Sequence, residues 1–177
     1  PHALPPFERL RSEHFAPAFE AAMRTHRAEL EAIAAQTAPP TFDNTIAALD
    51  RSGRLLARVE SVFFNLTASE TSPALQAVQR DMAGPLAAHA NAVAMNAPLF
   101  ARIDALHAQR DTLGLDAESL RLLERVHLDF VRAGALLAPE AQRRYGEVME
   151  QLAELTTRFA QNVLHDEASY QLVLGAD

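Results

Sequence analysis

A chain of 177 residues suits one ordinary domain or two small ones, and 49% apolar residues suffice for a real core, which excludes global disorder. The formal charge of −7 and the dispersal of 16 basic residues among acids argue against nucleic acid as a partner, since that affinity rests on clustered cations. The absence of cysteine excludes a disulfide scaffold and any thiolate zinc ligand or nucleophile, and no apolar run approaches the ~20 residues of a membrane span, so no membrane partner is expected.

Residues 1–12 read as an extended lead-in, with Pro5-Pro6 preventing an early helix. A helix is expected from about Phe15, with Pro17 in its first turn. Phe15, Phe19, Met23, His26, Leu30 and Ile33 share one face, and Ala38-Pro39-Pro40 stops the helix. Thr41 or Asp43 can cap the next helix. Its stripe runs Ile46, Leu49, Gly53, Leu56, Val59, Phe63 and Leu66. The phase is unbroken across Gly53, so a single helix over roughly 43–68 is expected, with the glycine facing a close helical neighbour.

Ser72-Pro73 is a start signal for a helical region reaching about Met95, which Gly84-Pro85 should kink or divide. Asn96-Ala97-Pro98 opens a shorter helix to about 112, ended by Gly114. Asp116 caps another, to about Arg132, closed by Gly134. Pro139 opens the last, over about 139–165, with the stripe Tyr145, Val148, Leu152, Leu155, Phe159 and Val163. The tail Tyr170–Leu174 alone reads as strand. The expected fold is all-α: about six mostly antiparallel helices in a bundle-like array, in one domain over 1–177, with a possible short strand near the C-terminus. The chain begins at Pro1 without a methionine, so a trimmed N-terminus is expected and targeting is unreadable.

The search for chemistry is largely negative. The sequence carries no H-E-x-x-H, no G-x-S-x-G, no phosphate-cradling glycine loop and no dinucleotide fingerprint. Glu124-Arg-Val-His127 has the Glu-x-x-His form used in di-iron carboxylate bundles, and Asp104-Ala-Leu-His107 is its Asp-bearing analogue. With 23 acids in the chain, composition alone yields about one such pair among seven histidines, so surface i,i+3 pairing is the simpler reading. His165-Asp166-Glu167 reads as a cationic helix terminus facing the dipole. Phe42, Phe63, Phe64, Phe100, Phe130 and Phe159 read as core. No catalytic, cofactor-binding or metal-ligating residue is assigned.

The wording of the sequence is more specific than its periods. "HFAPAFEAAM", "PTFDNTIAALDRSGRLLARVESVFFNLTASETS", "LFARIDALHAQRDTLGLDAESLRLLE", "DFVRAGALL" and "LAELTTRFAQNVL", in this order from about Pro5 to Leu174, resemble the N-terminal region of the oligopeptidase A and peptidyl-dipeptidase (dipeptidyl carboxypeptidase) family, relatives of thimet oligopeptidase. "RVESVFFNLT" and "LFARIDALHAQRDTLGLDAE" are more similar to the dipeptidyl carboxypeptidase branch.

The resemblance implies a helical zinc metallopeptidase of about four times this length. Its H-E-x-x-H helix and a further glutamate ligand would lie C-terminal to this chain. Zinc-bound water would attack the peptide carbonyl, with the motif glutamate as general base. The helices seen here would form a wall of a channel admitting short peptides. None of the family's catalytic or zinc residues has a counterpart here. The chain is therefore expected to be inactive alone, with zinc only in the full-length parent and with the missing C-terminal catalytic domain as its partner in cis. The alternative is a stand-alone helical binding or scaffolding module. A cytoplasmic location is expected, with the periplasm as the alternative.

Overall fold

The computed structural model describes residues 4–172. Its described residues form helices and no strand. Two 3₁₀ turns, Phe7–Arg9 and Ser12–His14, replace the expected extended lead-in. The α-helices are α1 (Phe15–Ala34), α2 (Ala47–Arg51), α3 (Arg54–Ser69), α4 (Pro73–Ala94), α5 (Ala97–Ala108), α6 (Ala117–Arg132) and α7 (Pro139–Ser169). Six of these have twelve residues or more, as the periodicities predict. Tyr170, Gln171 and Leu172 follow α7 without forming a strand, and the rest of the expected strand lies outside the described residues.

The helix starts are written in local chemistry. The Ser72 hydroxyl accepts from the Leu75 amide at 3.2 Å, Asn96 Oδ1 from the Leu99 amide at 3.0 Å, and Asp116 Oδ1 from the Ser119 amide at 2.7 Å. Each bond satisfies an amide that has no partner within its own helix. Thr41 and Asn44 cap each other reciprocally at 2.8 and 3.1 Å, opening a π-helical turn over Phe42–Ile46 that leads into α2. At the end of α6, Gly134 takes φ +97 and the Ala135 amide reaches back to the Phe130 carbonyl, the bonding of a Schellman stop.

α4 passes through Gly84-Pro85 as one helix and is not divided. Proline normally drives the preceding residue out of the helical region by colliding with its Cβ. Gly84 has no Cβ, so that collision is absent and the helix continues, although Pro85 cannot donate to the carbonyl of residue 81.

Two apolar clusters share α1. Phe15, Phe19, Ala22 and Met23 pack with Leu56 and Phe63 of α3 and with Leu75 and Met82 of α4. Leu30 and Ile33 pack with Ile46, with Leu99, Phe100, Ile103 and Leu106 of α5, and with Leu123 and Phe130 of α6. Between the clusters lie His26 on α1, His89 on α4, and the link between α2 and α3.

That link is where the structure departs from the expected single helix over 43–68. Ser52 is extended (ψ 165) and Gly53 is left-handed (φ +69), so α2 ends and α3 begins anew. Ile46, Leu56 and Phe63 nonetheless all face inward. Both α2 and α3 lie against α1, each serving one cluster, so a bend can be inserted without turning the stripe outward. The close approach to a neighbouring helix does exist: it comes from α1, against a glycine in a turn.

α7 lies antiparallel along α4. Asn91 Nδ2 donates to the Gly146 carbonyl at 3.3 Å, and Gln161 Nε2 donates to the Gln76 carbonyl at 3.0 Å near the other end. The face that α7 turns inward mixes small and polar residues with half-buried Tyr145 and Met149, and Gly146 is its buried residue. Of the expected stripe, Val148, Leu152, Leu155, Phe159 and Val163 point outward instead, with Phe159 69% exposed, while Tyr145 is half-buried. Phe159 and Phe64 are therefore not core residues, whereas Phe63, Phe100 and Phe130 are. α7 also runs four residues past the expected 165, so His165, Asp166 and Glu167 are exposed within its last turns and do not end it.

Candidate functional site

Three polar constellations stand out against this framework. The first is the seam between the clusters. His26 Nδ1 lies 3.0 Å from His89 Nε2, and His26 Nε2 lies 3.3 Å from the Ser52 hydroxyl, which is itself 2.6 Å from the Leu49 carbonyl. A carbonyl can only accept, so the serine proton goes to Leu49. Ser52 Oγ then accepts from His26 Nε2–H, His26 Nδ1 is a bare acceptor, and His89 Nε2–H donates to it. One direction of donation satisfies every bond and leaves both rings neutral. The remaining atom, His89 Nδ1, is buried without a partner. It is then an unprotonated acceptor, the less costly kind of orphan. Burial pushes the pKa of both rings down. Glu29 partly offsets this at His26, whereas His26 and Arg27 add to it at His89.

Glu29 completes the seam by accepting from the Gly53 amide at 2.7 Å. The arrangement offers no nucleophile–base pair, because the serine proton is committed to a backbone carbonyl and the second histidine has no carboxylate partner.

The second constellation joins the two acid–histidine pairs read from the sequence. α5 and α6 bring Asp104, His107 and His127 together, but across the helices: His127 Nε2 pairs with Asp104 Oδ1 at 2.9 Å. The rings of His107 and His127 stack in parallel at 3.8 Å, and the Phe100 ring lies 5.6 Å from that of His127. Burial, then His127 and Arg110, push the His107 pKa down. A metal needs lone pairs that lie in the ring planes and meet at one point about 2.0–2.1 Å away. Stacked parallel rings direct theirs side by side. Among the described residues no group of three or more His, Cys, Asp or Glu is placed to hold a metal. The residues here do not fit a zinc or di-iron centre.

The third is a clamp that sequence reasoning missed. Arg102 is 8% exposed and donates to the carbonyls of Gln36 (3.0 Å) and Ala38 (3.1 Å) and to Asn44 Oδ1 (3.0 Å). It ties the link between α1 and α2 to α5. Nothing near Arg102 in sequence signals this, because its partners lie 58 to 66 residues away.

No helix of the described residues is long and apolar enough to cross a membrane. No profile of a described protein family matches the chain. Individual relatives do. It is 42% identical over 174 residues to the dipeptidyl carboxypeptidase of Escherichia coli (strain K12), a match covering 98% of this chain and 26% of that protein. The Salmonella typhimurium dipeptidyl carboxypeptidase is 44% identical over 164 residues, covering 93% of this chain and 24% of that protein. Oligopeptidase A of Escherichia coli (strain K12) is 29% identical over 164 residues, covering 93% and 24%. The chain thus spans about a quarter of the length of the curated relatives it matches, and over nearly all of its own length it is similar in sequence to dipeptidyl carboxypeptidases and, more distantly, to oligopeptidase A.

Proposed function

We propose that the chain is the N-terminal helical domain of a zinc-dependent peptidase of the dipeptidyl carboxypeptidase type, forming part of the wall of its peptide channel. The observation that carries this reading is the disproportion of the matches. Nearly all of this chain aligns, with only about a quarter of each relative. That is the relation of a domain to a larger enzyme. The identity of 42–44% to the two dipeptidyl carboxypeptidases, against 28–29% to the bacterial oligopeptidases A, favours release of C-terminal dipeptides over internal cleavage.

The local chemistry agrees. His26, His89, His107 and His127 are engaged in hydrogen bonds and stacking, which supports placing bond cleavage and zinc in the remainder of such a protein. The partners are short peptides and, in cis, that catalytic remainder. The parent is placed in the cytoplasm, with the periplasm as the alternative.

The test is to read the frame beyond Asp177 and to assay its full-length product beside the 177-residue chain. Expected are an H-E-x-x-H downstream, chelator-sensitive release of C-terminal dipeptides by the full-length protein, and neither peptidase activity nor stoichiometric zinc in the 177-residue chain. A frame without that motif would favour a stand-alone helical binding module. Dipeptide release by the 177-residue chain would overturn the division of labour.

A further inference from the structure

We propose that the outward apolar face of α7 is the surface on which the remainder of the full-length chain docks, by laying an apolar helix or groove along it; this rests on the domain reading above. The observation is an inverted helix. α7 faces α4 with a buried glycine at 146 and a glutamine at 161 that bonds to Gln76 and Gln79. Val148, Leu152, Leu155, Phe159 and Val163 are left in solvent, with Leu155 59% and Phe159 69% exposed.

An amphipathic helix of a self-contained domain does the reverse. The five residues recur at four, three, four and four positions, so they form one ridge, about 22 Å long at the 1.5 Å helical rise. Scattered surface leucines need no explanation, but a continuous ridge marks an interaction surface of the helix-in-groove kind. The antiparallel register set by Asn91–Gly146 and Gln76–Gln161 places Pro73, the first residue of α4, opposite about residue 164. The last turn of α7 therefore projects beyond its partner, and the ridge runs toward that free end.

Two considerations select the occupant. The relatives contain roughly three times as much chain again beyond the matched region, which supplies a partner in cis. The ridge is also too small to hold a free partner firmly. From their fractional exposures the five side chains offer roughly 400–500 Å², below the roughly 800 Å² per partner of a standard interface. A tethered partner gains an effective concentration that a second copy lacks, so an area of this size suffices in cis.

The chain contains no cysteine, which allows a direct test. Phe159→Cys and, separately, Leu155→Cys are made in the 177-residue chain and in the full-length protein. The rate of thiol alkylation is then read by mass spectrometry on the peptide carrying the new cysteine. The expected result is fast labelling in the 177-residue chain and at least about tenfold slower labelling in the full-length protein. Equal rates in a full-length protein that is an active peptidase would overturn the docking while leaving the domain reading intact. Slow labelling of the 177-residue chain that strengthens with its concentration would assign the ridge to a second copy and also overturn it. A frame encoding no peptidase would remove the reading on which the proposal stands.

Discussion

The His26 ring lies 3.1 Å from the point where a Cβ on Gly53 would stand, and Gly53 itself is held at φ +69. Two separate effects therefore oppose a side chain at this position. The left-handed backbone costs an L-residue about 1–2 kcal/mol. The added methyl must also displace an imidazole engaged on both nitrogens.

Gly53→Ala should therefore cost about 2–5 kcal/mol in urea unfolding, the sum of strain and overpacking. Gly114 supplies the control, since it has φ +64 and nothing within 4 Å of its Cβ position. Gly114→Ala should show the backbone cost alone, about 1–2 kcal/mol. Equal losses at the two glycines would show that the His26 contact carries no weight.

The seam should also make stability depend on pH. Burial lowers the folded-state pKa of His26 and His89 below the ordinary 6.5. Over the window between the depressed value and 6.5, the unfolded chain holds more protons than the folded one, so stability rises with pH. The contribution is complete above 6.5 and is lost as pH falls below it. His107 adds a slope of the same sign. His89→Gln keeps a donor toward His26 and removes one titrating ring, so the urea midpoint should fall less between pH 7 and pH 5 than in the parent chain. Identical pH profiles for the two proteins would sink the assignment.

Arg102 presents a different kind of dependence. Its guanidinium serves three acceptors on the link between α1 and α2, two of them backbone carbonyls without helical partners. Arg102→Met preserves the apolar stem but withdraws every donor. The loss should be about 2–4 kcal/mol, the range for stranding buried polar groups. Arg102→Lys should recover only part of it, because an ammonium cannot reproduce the planar fork. A loss below about 0.5 kcal/mol for Arg102→Met would mean that water replaces the clamp.

These sites mark the boundary of what the sequence discloses. The starts of α4, α5 and α6 are legible because Ser72, Asn96 and Asp116 bond amides three residues on, which is chemistry contained within a single turn. The break at Gly53 is not legible, because its causes are Glu29 and His26 on another helix. Phase continuity cannot separate one straight helix from two that both face α1. The seam joins positions 63 apart in the chain. The two acid–histidine pairs were visible as spacing, but their actual pairing, Asp104 with His127, depends on how α5 and α6 dock. On α7 the periodicity correctly groups five of its six stripe residues on one exposed face, Tyr145 being half-buried. It cannot say which way the face points, since that depends on α4 offering polar partners to the opposite side.

The direction of α7 can itself be measured through stability. Leu155 and Phe159 lie on the exposed ridge and Phe63 lies in the core, where its ring centroid is 5.0 Å from that of Phe15 and 5.2 Å from that of Phe19. If the ridge is solvated in the 177-residue chain, Leu155→Gln and Phe159→Gln remove little buried area and keep good helix formers. Each should change stability by no more than about 0.5 kcal/mol. Phe63→Ala opens a cavity beneath two aromatic neighbours and should cost about 3–5 kcal/mol. The contrast is informative because sequence periodicity treats these residues alike: each is a large apolar residue on a helical stripe. A loss above about 2 kcal/mol for Phe159→Gln at low protein concentration would mean that the ridge is already buried within a single chain. The inverted orientation of α7, and the docking surface built on it, would then be wrong.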